Sequence, residues 1–312
     1  MLQATALLDG AGDPSVEGSV QPFPIYSVTK TVLAVQVLQL GLDLSTPVSR
    51  WLPRLPGAAD ITVAHLLGHT SGLPSYAPEY DVAVRAGEAP WPDESYVDLA
   101  ARRGLLFRPG AGWNYSNVGY LALRRIVEAE RGQPWAAAVR QTVLAPAGLA
   151  ATFPLSTVDD LRRVAPSTSA YLGDAAVADA YHPGWVAHGL LAATAGDLAR
   201  LLRACLATDT LLAAPAREAM TRLRPLDVPG RPLHPSPGYG LGVMGSRQTH
   251  VVGHTGEGPG YAAAAYLVPR YNRVVAVLVA VEDQSLAEEQ ILNLASTDAR
   301  HPATRPPSPE IN

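Results

Sequence analysis

Ser27-Val-Thr-Lys30 puts a hydroxyl and an amine three residues apart. On a helix, residues i and i+3 share a face, so the two groups can meet. A serine hydroxyl becomes a competent nucleophile when a base takes its proton, and a desolvated lysine is one such base. The chain's choice of cations sharpens this reading. Its 24 basic residues are 23 arginines and a single lysine, Lys30. Arginine stays protonated, whereas a buried lysine can lose its proton. With 17 serines in 312 residues, chance would put one three places before that lysine about 5% of the time. A helix-capping serine followed by a solvated lysine would be spelled the same way. If the lysine is a base, Lys30→Arg should abolish turnover and leave the fold intact.

Two further segments carry groups that could complete such a site. In Trp113-Asn-Tyr115-Ser-Asn117, a tyrosine beside a lysine can share its proton and act as general acid or base. The Asn117 amide can hold both the lysine and a substrate carbonyl. An aromatic turn with Asn117 as helix cap reads equally well from these residues. In Val251-Val-Gly-His254-Thr-Gly256-Glu257, Gly256 would let a ligand approach the backbone closely. A backbone N–H there could form an oxyanion hole with that of Ser27. An ordinary strand-to-turn transition is the alternative.

These groups need elements to position them. Apolar alternation predicts strands at 3–8, 16–20, 248–252, 261–268 and 273–281. Spacing of 3.6 residues predicts helices at 28–40, 62–68, 94–104, 117–131, 134–147, 195–206 and 285–294, with a short one at 159–163. A Pro/Gly-rich crossing covers 225–240. Strands at both ends and helices between argue for a sheet built from the two termini with a helical region inserted. The expected organisation is a discontinuous sheet domain, 1–55 and 235–297, a helical domain, 56–234, and a disordered tail, 298–312.

Composition removes several function classes. Hydrophobic residues make up 47% and charged residues 17%, which suits a packed core. A net charge of −4 gives no electrostatic footprint for nucleic acid. No apolar run is long enough to span a bilayer, and Met1–Asp9 lacks a basic leader region, so a cytoplasmic chain with no membrane role is expected. The lone cysteine, Cys205, sits in an apolar helical run and permits no internal disulfide. Gly240-Leu-Gly-Val-Met-Gly245 has glycines at dinucleotide-loop spacing, but a Pro-rich loop precedes it and a strand pattern follows. His65 and His69 have zinc-helix spacing without the glutamate, and they read as a helix residue and a turn residue. Ser71 in Gly68-His-Thr-Ser-Gly72 reads as a turn former. Tyr76, Trp91, Trp185 and His188 read as packing or as the lining of a cleft.

The motifs S-V-T-K, Y-S-N and H-T-G, in this order, together resemble the penicillin-recognising serine hydrolases. That superfamily contains class C β-lactamases, D-alanyl-D-alanine carboxypeptidases, D-aminopeptidases and related esterases. Leu66-Leu-Gly-His-Thr-Ser-Gly-Leu-Pro74, Phe107-Arg-Pro-Gly110 and Tyr239-Gly-Leu-Gly242 resemble further family segments, and the likeness runs over residues 3–297. It implies an α+β, β-lactamase/transpeptidase-like fold: an antiparallel sheet flanked by helices plus an all-helical region, with the site between them. It implies catalysis by Ser27 as nucleophile, Lys30 as base and Tyr115 as general acid/base. It implies that Asn117 orients Lys30 and the substrate amide, that His254 supports the proton network, and that Thr255 and Gly256 contact substrate. The N–H groups of Ser27 and Glu257 would form the oxyanion hole. No cofactor and no metal are expected. The expected partner is a small-molecule ester, amide or D-peptide, and nothing in the chain sets an oligomeric state. The family's N-terminal helix is missing and the helical region is short, which weakens a cell-wall or antibiotic-resistance role. An acidic Glu257 after H-T-G would favour neutral esters or free amines over carboxylates. A catalytically silent binding or regulatory protein on this scaffold is the alternative.

Overall fold

The computed structural model describes residues 1–76 and 78–296. The expected disordered tail from residue 298 lies outside the described residues. An eight-stranded antiparallel sheet runs in the order Ser15–Gly18, Gln3–Asp9, Arg273–Val279, Tyr261–Val268, Val252–Gly258, Met244–Ser246, Pro237–Tyr239, Arg224–Pro225. The N-terminal hairpin therefore pairs directly with the C-terminal strands, as a sheet built from both chain ends requires.

The two central strands, Tyr261–Val268 and Arg273–Val279, are buried along their whole length. Their side chains alternate between two cores, as the pleat demands. Ala263, Ala265, Leu267, Val274, Ala276 and Leu278 enter the larger core. Ala262, Ala264, Tyr266, Val275, Val277 and Val279 face a second one, which the helix Gln284–Ser296 covers with Ala287 and Ile291. The helix Ala195–Leu206 packs on the larger-core face, against Gln3–Asp9 and Arg273–Val279. It belongs by sequence to the span read as helical domain, yet it is a layer of the sheet. Cys205 lies buried in this helix, and burial pushes its thiol up to about 12.

The helix Thr29–Gln39 is buried on every side from Thr29 to Val37. That accounts for its nearly uncharged sequence, since a helix without a solvent face has no use for a polar stripe. It packs against Asn117–Arg131, a helix whose predicted limits match the observed ones. Ser116 caps it by accepting from Gly119 N at 3.0 Å, and Gly132 ends it in the left-handed region. The cap is thus Ser116 and not Asn117.

Several elements differ from the sequence expectation, which included neither the helix Pro78–Arg85 nor the helix Ala214–Thr221. The strand expected at 248–252 begins at Val252 and runs to Gly258, so H-T-G lies inside a strand. Its glycines hid it from pattern reading, yet Gly253 is demanded by the neighbouring strand: a Cβ there would lie 2.0 Å from Ala265 O. The helix expected at 134–147 is α-helical only over Trp135–Val139 and continues as a π turn over Arg140–Leu144. Residues 240–243 form a hairpin turn in which Gly242 approaches Ala34 too closely for any Cβ. A strand, not a helix, follows it. His65 completes a capping box with Thr62, and His69 Nδ1 accepts from Ser116 N at 3.1 Å, so the two histidines serve different elements.

Candidate active site

Ser27 sits in the 3₁₀ turn Tyr26–Val28, which runs directly into the buried helix. Tyr26 is left-handed at φ 39°, a conformation costing about 1–3 kcal/mol for a residue with a side chain. Its ring is buried, and its hydroxyl donates to Pro259 O at 2.8 Å. These contacts hold the turn that aims Ser27. Lys30, one helical turn on, is fully buried, and its Nζ lies 2.9 Å from Ser27 Oγ.

The surroundings of Lys30 are aromatic and uncharged. Its Nζ lies 5.0 Å from the Tyr115 ring centroid and 5.7 Å from that of Tyr120. Its other polar neighbour is His188 Nε2, at 3.1 Å. Burial alone drives the amine well below the ordinary lysine value, with no carboxylate to oppose it. Burial thus favours the neutral amine, the form that carries a lone pair.

Tyr115 is held by the segment that follows the helix Val63–Leu67. Asn114 N donates to His69 O at 2.9 Å, and Asn114 Nδ2 donates to Leu73 O at 3.0 Å. Ser116 Oγ donates to Pro74 O at 2.8 Å. The His69 ring lies 4.3 Å from the Tyr115 ring. Burial raises the Tyr115 phenol above its usual range, and a hydrogen bond with Ser27 works against that rise. Ser27, Lys30 and Tyr115 therefore form one connected group.

The nucleophile turn rests on an open sheet edge. The strand Val252–Gly258 pairs with Met244–Ser246 only as far as Gly253. Ser246 N donates to Val251 O across that edge, and the register continues unbroken, so residues 253, 255 and 257 direct their backbone groups the same way. The turn Tyr26–Val28 packs against this strand. A Cβ on Gly256 would lie 2.2 Å from Ile25 O and 2.7 Å from Ser27 N, so only glycine permits this docking. The backbone of Ser27 thus lies against the strand residue that precedes Glu257.

The remaining sequence-derived residues fall into two groups. Asn117 and Glu257 line a cavity of about 300 Å³ together with Ser27 and His188. The Asn117 amide donates to Ser75 Oγ at 3.2 Å, so the lysine's second partner is His188 instead. Glu257 is exposed, and its Oε2 accepts from Gln284 N at 2.7 Å. His254 and Thr255 are buried behind the site. His254 Nε2 meets Tyr239 OH at 3.1 Å, and burial is the main force that pushes the imidazole down to about 3. Thr255 Oγ1 points to Met244 Sδ at 3.6 Å. Sequence reading gave His188 as packing or as the lining of a cleft, and it does line the cavity, while His69 was read as a turn residue. Isolated histidines carry no spacing signal, so only the fold reveals that both lie beside this group. Among the described residues no cluster of three or more His, Cys, Asp or Glu could hold a metal ion, and no helix is long and apolar enough to cross a membrane.

Residues 19–298 match the Beta-lactamase protein family, and the chain belongs to it. It is 26% identical to a penicillin-binding protein of Bacillus subtilis (strain 168) over 88% of this chain and 64% of the relative. It is 40% identical to the esterase EstB of Burkholderia gladioli over 45% of this chain and 39% of that one. The chain thus spans less than two thirds of either curated relative. A D-stereospecific amidohydrolase from Streptomyces sp. superposes with a TM-score of 0.80 at 27% identity, covering 93% of this chain and 92% of that one. The β-lactamase/transpeptidase-like fold follows from these likenesses.

Proposed function

We propose that this protein is a serine hydrolase that works through an acyl-enzyme on small esters or D-amino-acid-type amides. The observation that carries the proposal is the 2.9 Å contact between Ser27 Oγ and the amine of a fully buried lysine with no anionic neighbour. As Ser27 Oγ bonds to the substrate carbonyl carbon, its proton passes to Lys30 Nζ. The carbonyl oxygen takes the negative charge between the N–H groups of Ser27 and Glu257. Tyr115, beside both Ser27 and Lys30, hands a proton to the leaving group and later accepts one from the incoming water.

The cavity bears on substrate class. About 300 Å³ lies at the small end for ligand pockets, room for a single amino-acid amide or a short ester. Asp81, Glu257 and Glu282 line it alongside five tyrosines, and no arginine does. Acidic groups and aromatic faces both favour a cation. A substrate carrying a free amine fits such a lining better than one carrying a carboxylate. The esterase and the D-stereospecific amidohydrolase among the similar proteins agree with this range.

The test is intact mass after treatment with a fluorophosphonate, for the parent and Ser27→Ala. One adduct on the parent and none on the variant is expected. p-Nitrophenyl esters and D-amino-acid p-nitroanilides should then be turned over in preference to β-lactams. A folded parent that takes no adduct, even from a small acylating ester, would favour the silent binding protein.

A further inference from the structure

We infer that His188 is a positioning residue for the general base: its imidazole accepts an N–H from Lys30 and turns the amine's lone pair towards Ser27. The inference rests on the serine-hydrolase reading above. A neutral lysine has two N–H groups and one lone pair. To serve as base it must aim the lone pair at Ser27 Oγ, and then an N–H needs an acceptor elsewhere. His188 Nε2, 3.1 Å from Nζ, is that acceptor.

The fold fixes this imidazole with some care. His188 is buried, and the chain on both sides of it is tied down. Arg124 Nε donates to Ala187 O at 2.8 Å, and Ala187 N donates to Tyr76 OH at 3.1 Å. Gly189 takes φ +93° over the Trp135 ring, where a Cβ would lie 2.6 Å from a ring carbon. Leu191 then pairs with the nucleophile segment: Ile25 N donates to Leu191 O at 2.9 Å, and Leu191 N donates to Thr29 Oγ1 at 3.2 Å. The histidine and the nucleophile are thus parts of one hydrogen-bonded unit. Nδ1 of His188 has no partner in the protein, so a purely structural imidazole would leave a buried polar atom unpaired for nothing.

The groups facing His188 are Lys30, His69, His254, Arg124 and the Tyr120 ring. Arg124 is paired with Asp93 and Glu128. The proton count closes without a net change at His188. Ser27 loses its proton as the Oγ–carbon bond forms, Nζ gains it, and the Nζ–H to Nε2 bond becomes charge-assisted. Removing the acceptor should therefore weaken the base and also lower the pH at which Lys30 deprotonates.

The experiment measures the rate of fluorophosphonate labelling against pH for the parent, His188→Leu and His188→Gln, with thermal unfolding as the fold check. The Leu variant should show a plateau lower by roughly 10- to 100-fold, the worth of a hydrogen bond to a charged group. Its rising limb should move to lower pH. The Gln variant, whose amide oxygen reaches the Nε2 position, should recover most of the plateau. If His188→Leu does not fold, His188→Asn decides, because its shorter amide falls short of Nζ and should show the same loss. Unchanged plateau and limb, or equal rates for Leu, Asn and Gln, would overturn the inference. A parent that never labels at Ser27 would instead overturn the hydrolase reading beneath it.

Discussion

Replacing Lys30 by methionine asks most directly whether the amine is neutral in the folded protein. Burial holds it well below its ordinary value of 10.5, to which it returns on unfolding. Between the folded value and 10.5 the unfolded chain binds one more proton than the folded chain. Stability must then rise with pH, by up to about 1.4 kcal/mol per unit for a whole proton. Methionine has a similar length and does not titrate, so that slope should vanish. The assay is urea unfolding of parent and Lys30→Met at about pH 7, 8 and 9. This window lies above the ordinary histidine range and below the raised tyrosines, and the N-terminal amine cancels between the two proteins. The parent should gain up to about 2.7 kcal/mol on the variant across it. The offset between them also contains the hydrogen bonds lost by Ser27 and His188, so the changing gap is the diagnostic quantity. Parallel pH profiles would mean that Lys30 keeps its charge in the fold and cannot take the serine proton.

The same burial corrects the expectation that Lys30→Arg leaves the fold intact. Arginine would place a permanent charge where no carboxylate meets it. An unpaired buried charge costs about 3–5 kcal/mol, a large share of a domain's stability. The arginine variant should lose its fold along with its activity, which makes methionine the informative substitution.

Three shorter predictions follow from the same geometry. Tyr115→Phe keeps the ring against His69 but loses the phenol, so kcat on a p-nitrophenyl ester should fall by about 10²–10⁴, and an unchanged kcat would mean that protons reach the leaving group by another route. Gly256→Ala pushes a methyl into Ile25 O and Ser27 N, both backbone atoms, so fluorophosphonate labelling should be lost and Tm lowered, whereas a fully active alanine variant would contradict the docking of the nucleophile turn on the strand. His69, His188 and His254 are all held down by burial, so below about pH 6.5 the unfolded chain takes up protons that the fold refuses, and the urea midpoint should fall steadily from pH 7 to pH 5; a flat midpoint would show that these imidazoles are not buried neutral.

What the sequence made legible depended on local spelling. The meeting of Ser27 and Lys30 was readable because i, i+3 spacing on a helix is a local rule and the chain holds one lysine. The strands Tyr261–Val268 and Arg273–Val279 were readable because a doubly covered strand is an unbroken apolar run. The strand carrying His254 was not, since Gly253, Gly256 and Gly258 have no side chain to pattern. Those glycines answer to neighbours far along the chain, namely Ala265, Ile25 and Tyr26. His188 was hidden for a similar reason: it lies 158 residues from Lys30, and only the pairing of Leu191 with Ile25 brings the two together.

The placement of acids explains why the site can work as it does. A carboxylate about 4 Å from Lys30 would attract its charged form by about 4 kcal/mol at an effective dielectric of 20, enough to raise its pKa by about three units. The lysine would then stay protonated and Ser27 would keep its proton. Among the described residues, no acidic side chain is among the groups that move Lys30. The three that line the cavity are each tied elsewhere: Glu257 to Gln284 N, Glu282 to Gly260 N and Tyr171 N, Asp81 to the Tyr171 hydroxyl. The hydrogen-bond partners of the amine are Ser27 and His188 instead. On the proposed reading a negative cavity wall and a neutral base coexist in one small site, the first suited to a cationic substrate group and the second to proton transfer.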